Sequence, residues 1–239
     1  MSPLLLFTIA GVVIFLGATV QGAVGLGMNL ISAPLLALLS PEMVPVPLLF
    51  AALVLSGLTM WRELRHVHWR GALPAIAGRL PGTAVGAFVV ALLPPQEFAM
   101  AVGVLVLACI MLSMLSWHPR PTPRSLLVAG FAGGVTGTSS SIGGPPVALL
   151  YQHEDGPTVR ATLAAYMSFG SSLSLIALGV GGQIGSSQLL ASLVLLPFMA
   201  AGFAASGPLR RFLDAGWTRM CLLVLAGGSA LMLIVLGVT

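Results

Sequence analysis

The chain has 239 residues, of which 57% are hydrophobic and 7% charged, and its mean hydropathy is +1.05. A soluble domain carries about 25% charged residues, and 10 basic plus 6 acidic side chains could not cover the surface of a water-soluble fold this large. Lipid is therefore the solvent for most of the chain, and a net charge of +4 without any dense basic run excludes a nucleic-acid partner.

In chain order, hydropathy and helix breakers predict apolar segments near 4–21, 27–40, 45–62, 71–93, 97–116, 125–136, 142–152, 158–178, 188–206 and 217–237. Apolar stretches such as 99–115 and 221–236 are continuous, not alternating, so the spans are helices and not the strands of a barrel. The N-terminal segment lacks a basic leader and a small-residue cleavage site and is expected to be a span. Cys109 and Cys221 lie inside apolar segments and imply neither a disulfide framework nor a metal site. No cofactor is expected, and the absence of a Walker-type motif argues against direct use of ATP.

A span needs ~20 residues, and 27–40, 125–136 and 142–152 are too short. Each borders a glycine cluster: Gly22-Ala-Val-Gly25-Leu-Gly27 in the first half, Gly133-Gly134-Val-Thr-Gly137 and Gly143-Gly144-Pro145-Pro146 in the second. Short, interrupted segments at corresponding places in two halves point to a transporter binding site. A shift of 112 residues pairs Gly22 with Gly134, Gly25 with Gly137, Pro34 with Pro146 and Pro45 with Pro157. A shift of 116 pairs Pro81 with Pro197 and Gly86 with Gly202. Six pairs in order at nearly one offset predict a duplication, with a first repeat at 1–118 and a second at 119–239.

The arginines orient the copies, because basic residues in short loops favour the cytoplasm. If each interrupted region were one crossing, Arg62, Arg65, Arg70, Arg120 and Arg124 would oppose Arg160, Arg210, Arg211 and Arg219. If each is a hairpin that enters and leaves from one face, all nine fall on one side. The expected fold is therefore an all-α polytopic membrane protein of two inverted repeats. Each is a re-entrant or broken helical hairpin plus three transmembrane helices, with both termini outside and the protein multi-pass in the cell (inner) membrane. Trp61, Trp69, Trp117 and Trp217 fall near cytoplasmic span ends, as an aromatic belt would.

Gln21-Gly22-Ala-Val-Gly25-Leu-Gly27 through Ser32-Ala33-Pro34, echoed by Gly130-Phe-Ala-Gly133-Gly134-Val-Thr-Gly137 through Gly143-Gly144-Pro145-Pro146-Val, resembles the TauE/SafE family of membrane transporters. The resemblance covers essentially the whole chain. It implies a transporter, not an enzyme, carrying sulfite, a sulfonate or a related organosulfur anion.

Helix physics points to an anion independently. A break inside the membrane exposes backbone N–H groups, and the following half-helix begins with about half a positive charge. Two such ends near the midplane cradle an anion without lysine. Polar side chains flank both breaks. The candidate binding residues are Gln21, Gly22, Gly25, Gly27 and Asn29 at the first, and Gly137, Thr138, Ser139, Ser140, Ser141, Gly143 and Gly144 at the second. Arg79 joins them. It lies nine residues beyond Arg70, roughly 13 Å of helix, near the centre of a ~30 Å core, where an ionisable residue is a functional hypothesis by default. Gly78, Gly82 and Gly86 repeat at four-residue steps beside it and allow close helix approach.

Other polar residues have plainer readings. His66, His68 and His118 are expected in solvated loops, His153, Glu154 and Asp155 as a loop ion-pair set with Arg160, and Glu63 beside Arg62. No carboxylate lies securely within a span. The rival readings are an anion channel and a carrier of a small carboxylate, both across the lipid bilayer. Self-association into a homo-oligomer, the direction of transport and the coupling ion are left open.

Overall fold

A computed structural model describes residues 3–92, 121–151 and 154–209, with isolated positions between 97 and 111 and residues 228 and 231. The spans expected at 97–116 and 217–237 fall largely outside the described residues. So do Cys109, Trp117, His118, Arg120, His153, Arg210, Arg211, Trp217, Arg219 and Cys221.

The described residues form eight α-helices and two short 3-10 turns, without a strand. In chain order they are α1 (Pro3–Val24), α2 (Met28–Leu39), α3 (Val46–Arg62), α4 (Trp69–Leu92), α5 (Pro123–Ser140), α6 (Pro145–Tyr151), α7 (Gly156–Val180) and α8 (Ser186–Leu209). Within them α1, α4, α7 and α8 are long and apolar enough to cross a bilayer, whereas α2 and α3 are shorter apolar helices.

Local chemistry sets the ends. Thr122 and Ser125 form a reciprocal capping box at the start of α5, with Pro123 in the first turn. The Asp155 carboxylate caps α7 by accepting from the Thr158 amide at 3.1 Å. Gly25 (φ 91°) and Gly27 (φ 133°) take a left-handed backbone that separates α1 from α2. Ser141 (φ 65°) ends α5, and Pro145-Pro146 opens α6.

The second interruption differs from expectation. Gly133, Gly134 and Gly137 do not break the chain; α5 runs through them to Ser140, and the break falls at 141–144. Gly22 likewise lies inside α1. These glycines serve packing. A Cβ on Gly130 would sit 2.0 Å from the Ala75 carbonyl oxygen, and one on Gly134 2.6 Å from that of Arg79. Backbone contact at this range offsets the ~1 kcal/mol that a helical glycine costs.

The same contacts fix helix directions. Gly78 meets Leu127, Gly82 meets Phe131 and Gly86 meets Val135, so α4 and α5 run parallel along their shared glycine seam. Gly11 meets Phe198 and Gly22 meets Phe203 and Ser206, so α1 and α8 also run parallel. In contrast, Glu63 pairs with Arg160 while Val46 and Leu49 cluster with Leu175 and Leu178, making α3 and α7 antiparallel. The first helix of each group of four thus lies on the last helix of the other, and these are the two most extensive interfaces among the described helices.

Ile14, Leu36, Leu48, Leu55 and Leu195 are fully buried at the centre of the larger core. Leu4, Phe88, Val128 and Leu193 point outward, as lipid-facing side chains should. Placing a valine on the α4–α5 seam at Gly130 should cost roughly 1–3 kcal/mol or more and lower the thermal midpoint of the detergent-purified protein. Val128→Ala, at a position 69% exposed two residues away, should leave that midpoint nearly unchanged.

Candidate functional site

The two breaks meet. At the first, the Gln21 side-chain oxygen accepts from the Met28 amide at 3.1 Å, closing the turn from α1 to α2. At the second, the Ser141 hydroxyl donates to the Pro45 carbonyl at 2.9 Å. The Asn29 amide of α2 donates to the Ser141 carbonyl at 2.6 Å, joining residues 112 apart. Leu26 of the first break covers Gly144 of the second so closely that a Cβ there would sit 2.5 Å from Leu26 Cδ1.

The hydroxyls of the second break have local partners. Thr138 Oγ1 pairs with Ser174 Oγ of α7 at 2.8 Å. Ser139 and Ser140 donate back to the carbonyls of Val135 and Thr136, each at 2.7 Å, satisfying backbone oxygens at the end of α5. Gly25 and Gly27 shape the first turn. Gly22 instead packs on α8, away from the breaks.

Arg79 lies against the second break. It is 2% exposed on α4, and its guanidinium lies 4.8 Å from the centroid of the Tyr166 ring. Three glycines make the room: a Cβ on Gly170 would fall 2.0 Å from Arg79 Cζ, on Gly137 2.7 Å from Nη2, and on Gly143 2.9 Å from Nη1. These come from α7, α5 and the second break, so the first half of the chain supplies the cation and the second half its pocket. Nε and Nη1 have no hydrogen-bond partner, and Arg79 makes no salt bridge among the described residues. The Thr83 hydroxyl, one turn further along the same helix, is also buried and without a partner. A buried guanidinium with idle N–H groups is costly, and it has the chemistry to receive an oxyanion.

Sequence reasoning located Arg79 but missed Tyr166, Gly170 and Thr83. A signal existed for the first: a tyrosine at the interior of a span, away from the interfaces where tyrosine concentrates, needs a polar partner.

The loop expectation for Arg160 is corrected. Its Nε donates to both carboxylate oxygens of Glu63, at 3.3 and 3.2 Å, and not to Glu154 or Asp155. Asp155 is instead spent as the helix cap, and hydrogen bonds from Thr158 hold its exposed carboxyl below the usual carboxylate range. Arg62 approaches Glu63 at 3.7 Å and stacks on Phe203 of α8 at 4.6 Å. The stem of Arg160 lies against Gly25, where a Cβ would fall 2.5 Å from its Cγ. This ion pair therefore ties α3 to α7 directly at the first break. His68 stays exposed, its Nδ1 3.3 Å from the Tyr151 hydroxyl, and no group of residues suited to a metal ion occurs among the described residues.

A family model described as Sulfite exporter TauE/SafE matches residues 9–233, nearly the whole chain. The chain belongs to the TauE/SafE family. No curated protein and no solved structure matches it. Members of the TauE/SafE family are transporters and not enzymes, so this TauE/SafE chain is a membrane transport protein whose family handles small anions. In that setting the Glu63–Arg160 pair is a contact that holds the two halves together. Glu63→Gln, which leaves Arg62 and Arg160 facing each other, should destabilise the purified protein by about 1–3 kcal/mol. A double-mutant cycle with Arg160→Gln should return a coupling above about 0.5 kcal/mol; thermal unfolding of the four proteins measures it.

Proposed function

We propose that this TauE/SafE chain is a secondary carrier of a small sulfur oxyanion, either sulfite, a sulfonate or a related organosulfur anion. The anion is held at Arg79 between the two broken hairpins. The observation that carries this reading is a guanidinium 2% exposed, with Nε and Nη1 unpaired, in a pocket cleared by Gly137, Gly143 and Gly170. An anion bound there would complete a charge-assisted hydrogen-bond set that the protein alone leaves open.

In the same proposal the chain is two inverted repeats, 1–118 and 119–239, in the inner membrane. Parallel packing of α1 on α8 and of α5 on α4 supports the exchange of equivalent helices between halves, and the Asn29–Ser141 bond joins positions that the 112-residue shift equates. Gln21, Gly25, Gly27 and Asn29 build the first wall of the site, and Thr138, Ser139, Ser140, Ser141 and Gly144 the second. The enclosure of Arg79 favours a carrier over an open pore, because the cation is only 2% exposed. Access then requires one half to move against the other, and the Glu63–Arg160 pair lies across that movement.

Binding to the folded state raises stability by RT ln(1 + [L]/Kd). Sulfite and short sulfonates should raise the thermal midpoint of the purified wild-type protein. Arg79→Gln should weaken that response by roughly 10–100-fold in apparent Kd, the worth of hydrogen bonds to a charged group, and should abolish uptake into proteoliposomes. A response to short carboxylates with none to any sulfur oxyanion would overturn the substrate class.

A further inference from the structure

We propose that the Arg79 site selects by charge: it takes singly charged three-oxygen anions, namely sulfonates and hydrogen sulfite, and rejects dianions such as sulfate and thiosulfate. This rests on the reading of Arg79 as the substrate-binding cation.

The charge inventory is short. Among the described residues Arg79 is the one fully charged side chain at the site, and no described carboxylate pairs with it. Of the described acidic residues, Glu42, Glu97, Glu154 and Asp155 are exposed, and Glu63 is engaged by Arg160 and Arg62. The partial charges that could add to Arg79 are small beside a full charge. The first amide of α2, at Met28, is capped by Gln21, and α6 is a helix of only 7 residues. The hydroxyls of Thr138, Ser139, Ser140 and Ser141 already have partners. One positive charge therefore awaits one negative charge. A monoanion makes the occupied site neutral, whereas a dianion leaves a net negative charge enclosed among Tyr166, Gly170 and the helix backbones, where charge without a counter-ion is heavily penalised. The idle donor atoms are Nε and Nη1 of Arg79 and the Thr83 hydroxyl one turn away, which together carry four hydrogens. That set matches a head group with three equivalent oxygens better than a two-oxygen carboxylate.

The test uses the full-length protein purified in detergent. Apparent Kd is read from ligand-dependent thermal midpoints at constant ionic strength. The probes are methanesulfonate, 2-hydroxyethanesulfonate, sulfate and thiosulfate, with sulfite titrated on either side of its second ionisation. Methanesulfonate should bind at least about a hundredfold tighter than sulfate or thiosulfate (about 2.8 kcal/mol). Sulfite should bind more tightly as the pH is lowered and the singly charged form accumulates, while methanesulfonate stays constant across the same range. Thr83→Val, a near-isosteric change, should weaken methanesulfonate by roughly tenfold without altering the preference for one charge over two. Sulfate or thiosulfate binding as tightly as methanesulfonate would overturn the charge rule while leaving an anion site at Arg79 intact. No response to any of the anions would overturn the site itself.

Discussion

A buried guanidinium with no carboxylate partner among the described residues, inside a lipid-dissolved bundle, is the constraint that organises this molecule. Arginine at the centre of a bilayer is tolerated only where it faces protein or a cavity. Here the tolerance is built from small residues: Gly137, Gly143 and Gly170 clear the volume that the charge occupies, and Tyr166 offers the face of its ring. Such a ring attracts the cation but gives no lone pair to Nε or Nη1. The protein thus holds the charge in place while leaving Nε and Nη1 without acceptors, and an oxyanion is the chemistry that would complete them.

The breaks serve this arrangement in a way that differs from a bare helix-dipole cradle. Gly25, Gly27 and Ser141 take left-handed backbone, which interrupts the helices at both breaks. Gln21 then caps the freed amide of Met28, Asn29 spans to Ser141, and Leu26 covers Gly144. Polar side chains beside a membrane break must satisfy backbone first, and most of those present do so. What they yield is a rigid junction between two interrupted hairpins, with the second break placed against Arg79. The strongest electrostatic element at the junction is then a full charge on an intact helix, α4.

Much of this was legible in the sequence. Composition alone excluded an aqueous fold. The positions of Gly25, Gly27 and Gly143-Gly144 located both interruptions, and Arg70-to-Arg79 spacing placed the buried charge. Gly133, Gly134 and Gly137 misled, because a glycine cluster reads equally as a breaker or as a seam; the partner helix decides, and Ala75, Arg79 and Gly82 belong to a segment some fifty residues earlier. Arg160 was misassigned for a related reason. Its neighbours in sequence included two acids, but Asp155 had a prior claim as helix cap, and Glu63 reached Arg160 only through the antiparallel packing of α3 and α7. Local pattern captures what a residue needs; tertiary contact decides who supplies it.

The site is also where the proposed duplication fails to be symmetric. Under the 116-residue shift the counterpart of Arg79 is Leu195, fully buried in the larger apolar core. Under the 112-residue shift Tyr166 and Gly170 correspond to Val54 and Leu58, so neither the ring nor the clearing recurs. Two copies of a scaffold would otherwise offer two equivalent sites on either side of an axis. Here the charge comes from one half and the pocket from the other, and each half lacks what its counterpart provides. A relative movement of the halves would then draw Arg79 away from Gly137, Gly143, Tyr166 and Gly170 as it opened a route to water. Rehydration would restore to the guanidinium the hydrogen bonds that it lacks in the closed pocket, which weakens its hold on a bound anion. In the proposed carrier, opening and release would then be one physical event, the solvation of Arg79.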